Sequence, residues 1–360
     1  MECRRLLAKY GKTNIVSLMR DEIYQQPHAI ASAIEQETAA VAAFAQKLRD
    51  RRIRHVVIAA RGTSDNAATY AKYLLEIVVG VPVALAAPSV YTLYGARPNL
   101  EGVLMLGISQ SGQATDVVQA LATGSETGAM TACITNVAGS PLTEVSDATF
   151  LCSAGDERGI AATKTYTTSL ALVALLAAQW AESAELLKGL NKIPDAVQRT
   201  LALDDVVASA VERYRYMDEC AVLARGLNQA TALETALKMT ETSYIVAKPY
   251  SGADFLHGPI AMVSDGFPCF IFAPNGRAYD SMHELATKLE ERHAEMIVVA
   301  HNKEILALAK RPLELPVDAG ELLSPIVCIL PGQLWAYHLS RARGIDPDRP
   351  RGLTKVTLTR

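Results

Sequence analysis

The run Val103-Leu104-Met105-Leu106-Gly107-Ile108, followed by Ser109-Gln110-Ser111-Gly112-Gln113-Ala114-Thr115, constrains this chain more than any other stretch. An apolar segment stops, three hydroxyl side chains crowd into the next seven positions, and a second apolar-periodic segment begins at Val117. This pattern predicts a buried strand, a tight loop and a helix start. The first N–H groups of a helix have no partner inside it, and the dipole is positive there, so an anion is favoured. The loop from Gly107 to Thr115 holds no lysine or arginine, so hydroxyls and amides would hold that anion. A phosphate on a small polar molecule fits such a cradle. An ordinary helix cap is the competing explanation, but a cap needs one hydroxyl and this loop offers three.

The rest of the chain repeats the alternation. Residues 1–50 read as an amphipathic helical segment with a break at Pro27. Strand-like runs follow at Arg54–Ala60, Val83–Ala86, Val103–Ile108, Met130–Thr135 and Ala148–Leu151, with helical patterns between them, including Thr163–Ala181. Around Leu190–Leu203 the pattern breaks and then restarts, with strands expected at Glu219–Ala224, Phe267–Ala273, Glu295–Ala300 and Pro325–Leu330. Val57-Ile58-Ala59-Ala60-Arg61-Gly62 can be laid over Ala221-Val222-Leu223-Ala224-Arg225-Gly226, each an apolar strand running into Ala-Arg-Gly and a helix. The reading is α/β: a tandem duplication of one doubly wound parallel-sheet unit. Its parts are an N-terminal helical segment at 1–50, a first domain at 51–195, a second at 205–345, and a tail at 346–360. Ligands in such sheets bind off the carboxyl ends of the strands, where both glycine turns lie.

Composition removes several classes of function. Among 360 residues half are hydrophobic and the formal net charge is −3, which gives no basic field for nucleic acid or acidic lipid. The longest apolar stretch, Leu170–Trp180, is too short to span a bilayer. Six scattered cysteines without a C-x-x-C and seven histidines without H-x-H or H-E-x-x-H argue against disulfides and a dedicated metal site. A reduced, cytoplasmic protein without metal or other cofactor is expected. The 107–115 loop lacks the Lys-Ser/Thr ending of a nucleotide-triphosphate loop, and Ser111 stands where a nucleophile elbow needs glycine.

Other polar groups ask for a role. Thr63 and Ser64 follow Gly62 at the end of the first strand, where capping and ligand contact are both open. Glu234, Lys238 and Glu241 share one helix face. They could form a solvent ladder, yet Ala236, Leu237, Met239 and Tyr244 around them indicate a mostly buried helix. His257 sits in the loop Ala253–Pro259, and a lone loop histidine is more often incidental than functional. Lys355 follows Asp346-Pro347-Asp348-Arg349-Pro350, and on its own terms that tail reads as mobile surface.

Taken together these pieces resemble the sugar isomerase (SIS) domain family. They are most similar to its tandem members, the isomerase half of glucosamine-6-phosphate synthase and the stand-alone glucosamine-6-phosphate deaminases. The motifs that carry the resemblance run in order from about Met19 to the end. They are Gly62-Thr63-Ser64; Ser109-Gln110-Ser111-Gly112 with Thr115; Asn136-Val137 before Gly139-Ser140; and Ala162-Thr163-Lys164 with Thr167-Thr168. Glu234 to Tyr244, His257-Gly258-Pro259 and Pro350 to Lys355 complete the set. The resemblance implies two flavodoxin-like three-layer units. It implies that Ser109, Gln110, Ser111 and Thr115 cradle a sugar phosphate, with Thr63, Ser64, Val137 and Thr354 also at the substrate. Glu241 would move a proton between C1 and C2, supported by Lys238. His257 would assist ring opening from a neighbouring subunit, which implies a homodimer, and Lys355 would form a Schiff base with a ketose. Two departures matter. Cys3 lies in a short helical segment rather than directly after the initiator methionine of a glutaminase, and Val356 stands where a serine is usual. The expected reaction is therefore isomerising deamination of glucosamine 6-phosphate to fructose 6-phosphate and ammonia. Fructosamine-6-phosphate deglycation, galactosamine-6-phosphate deamination and a non-catalytic sugar-phosphate sensor are the alternatives.

Overall fold

Val103–Ile108 is a strand whose six residues are all buried, as a strand covered by helices on both faces must be. In the computed structural model, which describes residues 17–355, it is the centre of a five-stranded sheet. The strands are β1 (His55–Ala59), β2 (Val83–Leu85), β3 (Val103–Ile108), β4 (Met130–Thr135) and β5 (Ala148–Leu151), in the order β2-β1-β3-β4-β5. A second sheet holds β6 (Glu219–Ala224), β7 (Val246–Ser251), β8 (Pro268–Ala273), β9 (Glu295–Ala300) and β10 (Arg311–Glu314). Its order, β7-β6-β8-β9-β10, repeats the first order strand for strand. Every pairing in both sheets is parallel. The duplication read from one shared tripeptide is thus a duplication of topology, and both halves are doubly wound. The helical reading of residues 1–16, Cys3 included, and Val356 lie outside the described residues.

Helices join the two sheets into one body. Leu18–Asp50 is a 33-residue helix that packs along Lys164–Trp180, whose residues are nearly all buried. Gln229–Ser243 packs on Ser324–Ala342 and reaches across to Thr63–Val78 of the first half. Short helices at Ala184–Leu190, Ile193–Thr200 and Asp204–Val211 occupy the stretch where the sequence pattern broke. Among the described residues no helix is long and apolar enough to cross a membrane.

Three expectations need correction. Pro27 lies inside the Leu18–Asp50 helix and does not break it. Proline there removes the bond to the Ile23 carbonyl, and Gln26 replaces it, its Nε2 donating to that carbonyl at 2.9 Å. The same side chain ties three helices together: Nε2 also donates to Gln333 Oε1 at 2.8 Å, and Oε1 accepts from Thr167 Oγ1 at 2.8 Å. Pro325–Leu330 is not a strand but the first turns of Ser324–Ala342, with Pro325 at the helix start, where its missing N–H costs nothing. A short apolar run is ambiguous between buried strand and buried helix, and here the long helix wins. The two strands the sequence reading omitted, β7 and β10, are the edges of the second sheet. They contain Pro249 and Pro312, which edge strands tolerate and which mask the strand pattern.

The contact between Gln229–Ser243 and Ser324–Ala342 leaves no room at Gly332, where a Cβ would lie 2.2 Å from Thr235 Oγ1. Gly332→Val is expected to destabilise the fold by about 1–3 kcal/mol through overpacking, measured as a lower midpoint in urea unfolding.

Candidate active site

In the first sheet β1 and β3 are neighbours whose outgoing connections leave toward opposite faces, so a crevice opens between their carboxyl ends. The two turns that border it are Arg61–Ser64 and Ser109–Ala114. Gly112 gives the second turn its shape. Its φ is +63°, and a Cβ there would sit 2.0 Å from Ser140 Oγ, so no other residue fits without moving the neighbouring loop. The helix that follows, Thr115–Glu126, has Ala114 at its N-cap position, and its Val117 N–H is accepted by Asp116 Oδ1 at 2.9 Å. Alanine, not serine, stands at the cap position. Ser109 is buried, and Ser111 Oγ accepts from the Gln113 N–H at 3.2 Å. Arg61 closes the other side, its Nε donating to the buried Asp116 carboxylate at 2.6 Å and fixing the two turns to each other.

These turns line a cavity of about 350 Å³, which also takes in Ile160, Ala162, Lys238, Glu241, Leu353, Thr354 and Lys355. Both halves and the tail thus meet in one space. Of the residues singled out from sequence, Thr63, Ser64, Ser109, Gln110, Ser111, Lys238, Glu241, Thr354 and Lys355 line it together. Three do not. Thr115 is the exposed first residue of its helix, Val137 is an exposed side chain beyond β4, and His257 is exposed after the Gly252–Leu256 helix.

Glu234, Lys238 and Glu241 form no solvent ladder. Lys238 is fully buried, with Nζ 2.7 Å from Glu241 Oε2, 3.3 Å from Glu234 Oε1 and 3.1 Å from Thr63 Oγ1. Glu234 is buried too, and accepts from Thr63 Oγ1 at 3.1 Å and Asn66 Nδ2 at 2.7 Å. Only Glu241 is partly open, its side chain 25% exposed toward the cavity. Burial works against the Lys238 charge, but the two carboxylates outweigh it and hold the ammonium firmly protonated. Burial also raises the Glu234 carboxyl, to about 7, against the opposing pull of Lys238. One ammonium between two carboxyls leaves Glu241 as the group able to act on a ligand.

The tail is not loose surface, which corrects the expectation drawn from its sequence alone. Asp348 caps the N-terminus of the Leu18–Asp50 helix, accepting from the N–H groups of Leu18 and Met19 at 2.8 Å each. The Arg351 N–H donates to Tyr244 Oη at 2.7 Å, and its guanidinium lies 4.3 Å from the Tyr244 ring centre. Tyr244 holds a left-handed backbone (φ 55°) at the end of its helix to present that ring. Lys355 then donates to Glu157 Oε2 at 2.8 Å and to the Gly159 carbonyl at 2.6 Å. Arg61, Asn66, Glu157 and Ile160 were not given a role from sequence, and Ala162 was named only as part of the Ala162-Thr163-Lys164 motif. Arg61 stood in the repeated Ala-Arg-Gly, and Ile160 lies two residues before the Ala162-Thr163-Lys164 motif, but nothing periodic marks Glu157 as buried. Among the described residues no group of three His, Cys, Asp or Glu could hold a metal ion.

With this geometry in hand, the relatives are informative. The sequence profile of the SIS domain matches residues 47–179 and 217–340, one match per half, and the chain belongs to the SIS domain family. It is 35% identical over 353 residues to the glutamine–fructose-6-phosphate aminotransferase (isomerizing) of Aquifex aeolicus, covering 97% of this chain and 59% of that protein. The chain thus spans about three fifths of that relative's length. The C-terminal domain of glucosamine-fructose-6-phosphate aminotransferase from Francisella tularensis superposes with a TM-score of 0.85 at 30% identity, covering 94% of this chain and all of that one. A glucosamine-6-phosphate deaminase from Thermotoga maritima shares the fold, with a TM-score of 0.75 at 23% identity over 95% of this chain and all of that one.

The Glu234 carboxyl links stability to pH. With its pKa raised from 4.5 to about 7, the folded state binds the extra proton, so this contribution is complete below pH 4.5 and is lost as pH rises through 7. Glu234→Gln removes the linkage. Relative to the variant, the wild-type protein should lose on the order of 1–3 kcal/mol between about pH 4 and about pH 8, measured by urea unfolding at both pH values.

Proposed function

We propose that the cavity binds an amino hexose 6-phosphate and catalyses its isomerising deamination to the ketose phosphate and ammonia, with glucosamine 6-phosphate as substrate. The observation that carries this reading is the meeting of Glu241, Lys238, Lys355 and the serine loop in one 350 Å³ space. That the Aquifex relative is a glutamine–fructose-6-phosphate aminotransferase (isomerizing) supports the substrate class.

The residue chemistry supports the steps. The 6-phosphate takes N–H groups at the start of Thr115–Glu126 and the hydroxyls of Ser109 and Ser111, with Arg61 adding positive charge from the neighbouring turn. Thr63 and Ser64 reach the sugar. Glu241 is the base that takes the proton from C2 and returns it at C1, converting the aldose with its amino group into a C2 ketimine. Lys238, charged and buried beside it, stabilises the negative charge that builds on the enediol-like intermediate. Lys355 meets the C2 ketimine. Ring opening needs a further acid–base group, and in this reading His257 supplies it from a second copy of the chain, so the active species is a homodimer.

Purified protein incubated with glucosamine 6-phosphate should release ammonia and fructose 6-phosphate in equal amounts; binding of the sugar phosphate without either product would favour the sensor. Glu241→Gln should lower kcat by roughly a hundredfold or more, with the dissociation constant for fructose 6-phosphate changed less than about threefold. Loss of binding instead would contradict its assignment as the base. Ser109→Ala with Ser111→Ala should weaken that binding by roughly tenfold or more, and unchanged affinity would remove this loop as the cradle.

A further inference from the structure

Glu157 has no part in the steps above, yet it is the buried acid behind the cavity lysine, with a side-chain exposure of 0%. Its Oε1 accepts the N–H groups of Thr163 at 3.0 Å and Thr165 at 3.1 Å, at the start of the Lys164–Trp180 helix. Its Oε2 accepts from Thr165 Oγ1 at 2.8 Å and from Lys355 Nζ at 2.8 Å. The backbone bonds could be accepted by the amide of a glutamine. What a carboxylate adds is a charge, and the cation it meets is Lys355. Burial alone would raise the Glu157 pKa, but Lys355 and the two N–H groups hold it below the ordinary carboxylate range. The anion is therefore fixed, dry and aimed at Nζ.

We propose that Glu157 is the positioning residue of a covalent step at Lys355, a fixed counter-ion that keeps one positive charge beside it while Nζ passes from ammonium to iminium and back. This rests on the reading that Lys355 meets the C2 ketimine. The ketimine nitrogen takes a proton from the Lys355 ammonium, which makes C2 electrophilic and Nζ a free amine. Nζ then bonds to C2 as the carbon–nitrogen double bond becomes single. A proton passes from Nζ to the outgoing nitrogen, ammonia leaves with its bonding pair, and C2 is joined to Nζ as an iminium. Water adds at C2, the C2–Nζ bond breaks, and the ketose phosphate leaves with Lys355 an ammonium again. The net charge at the reacting nitrogens is +1 at every stage, so the Glu157 carboxylate can serve throughout. The other buried acid facing Lys355 is Glu22, which accepts from the Arg158 and Gly159 N–H groups and whose carboxyl burial pushes up, so that it is Glu157 that bonds Nζ.

Cyanoborohydride reduces an iminium but spares a neutral imine, so it reads the charged state. Trapping with fructose 6-phosphate, followed by peptide mass mapping, should mark Lys355 in the wild-type protein and mark nothing in Lys355→Arg. The wild-type trapped fraction should stay level up to about pH 9. In Glu157→Gln, which keeps an acceptor for Thr163 and Thr165, it should fall off roughly one to three pH units earlier. That variant should also lose roughly tenfold to a thousandfold in kcat, with KM for glucosamine 6-phosphate changed less than about threefold. An unshifted trapping profile in Glu157→Gln with near-normal kcat would overturn the proposal and leave the covalent step standing. Should the variant not fold, the wild-type profile decides, since trapping that declines below about pH 8 shows an iminium without a counter-ion. An active wild-type enzyme that gives no adduct would overturn the covalent reading of Lys355, and this proposal with it.

Discussion

A buried ammonium is tolerable only where carboxylates compensate it, and Lys238 is this protein's case. Glu234 and Glu241 sit one turn to either side of it on the same helix, and Thr63 Oγ1 completes its surroundings from the other half of the molecule. Asn66 then anchors Glu234 across the same divide. The two duplicated units are thus joined at a place where separation would strand charges in a dry interior. The cavity exists because this cluster brings Gln229–Ser243 of the second half over the strand ends of the first. Duplication of topology did not duplicate the site. The residues that follow Arg225-Gly226 in the second half are Leu227 and Asn228, where the first half has Thr63 and Ser64.

The tail depends on that arrangement and completes it. Asp348 is bound to the start of the long N-terminal helix, Arg351 to Tyr244 directly after the charged helix, and Lys355 to Glu157 before the Lys164–Trp180 helix. Each tie is to a helix end, where backbone groups or a left-handed residue offer an attachment. The three ties in eight residues carry Lys355 from the far side of the second half into the first half's crevice. Buried carboxylates therefore hold both cavity lysines, Lys238 inside one helix and Lys355 at the end of the chain.

Much of this was legible in the residues. The sheet, its parallel sense and the duplication follow from apolar runs alternating with helical periods, because a strand buried on both faces has few other ways to be covered. The serine loop was legible because hydroxyls after a buried strand have few other uses. The run from Pro325 to Leu330 was misread because length, not composition, separates a buried strand from a buried helix. Pro27 was misread because the side chain that replaces its lost bond, Gln26, carries no signal for that role. Glu157 and the tail contacts were invisible for a different reason: they depend on pairs more than 100 residues apart, Lys355 with Glu157 and Tyr244 with Arg351. Val137 and His257 were drawn from motif order, and their exposed positions lie outside the cavity of their own chain.

The central claim is that one cavity transfers a proton between adjacent sugar carbons. The most direct test is proton NMR of fructose 6-phosphate incubated with the purified protein in deuterated water. The account predicts stereospecific loss of one C1 proton signal as solvent deuterium enters at that carbon, at a rate proportional to enzyme concentration. Fructose 6-phosphate that binds tightly yet keeps both C1 protons would contradict it, and the cavity would then be a place where sugar phosphates are held rather than changed.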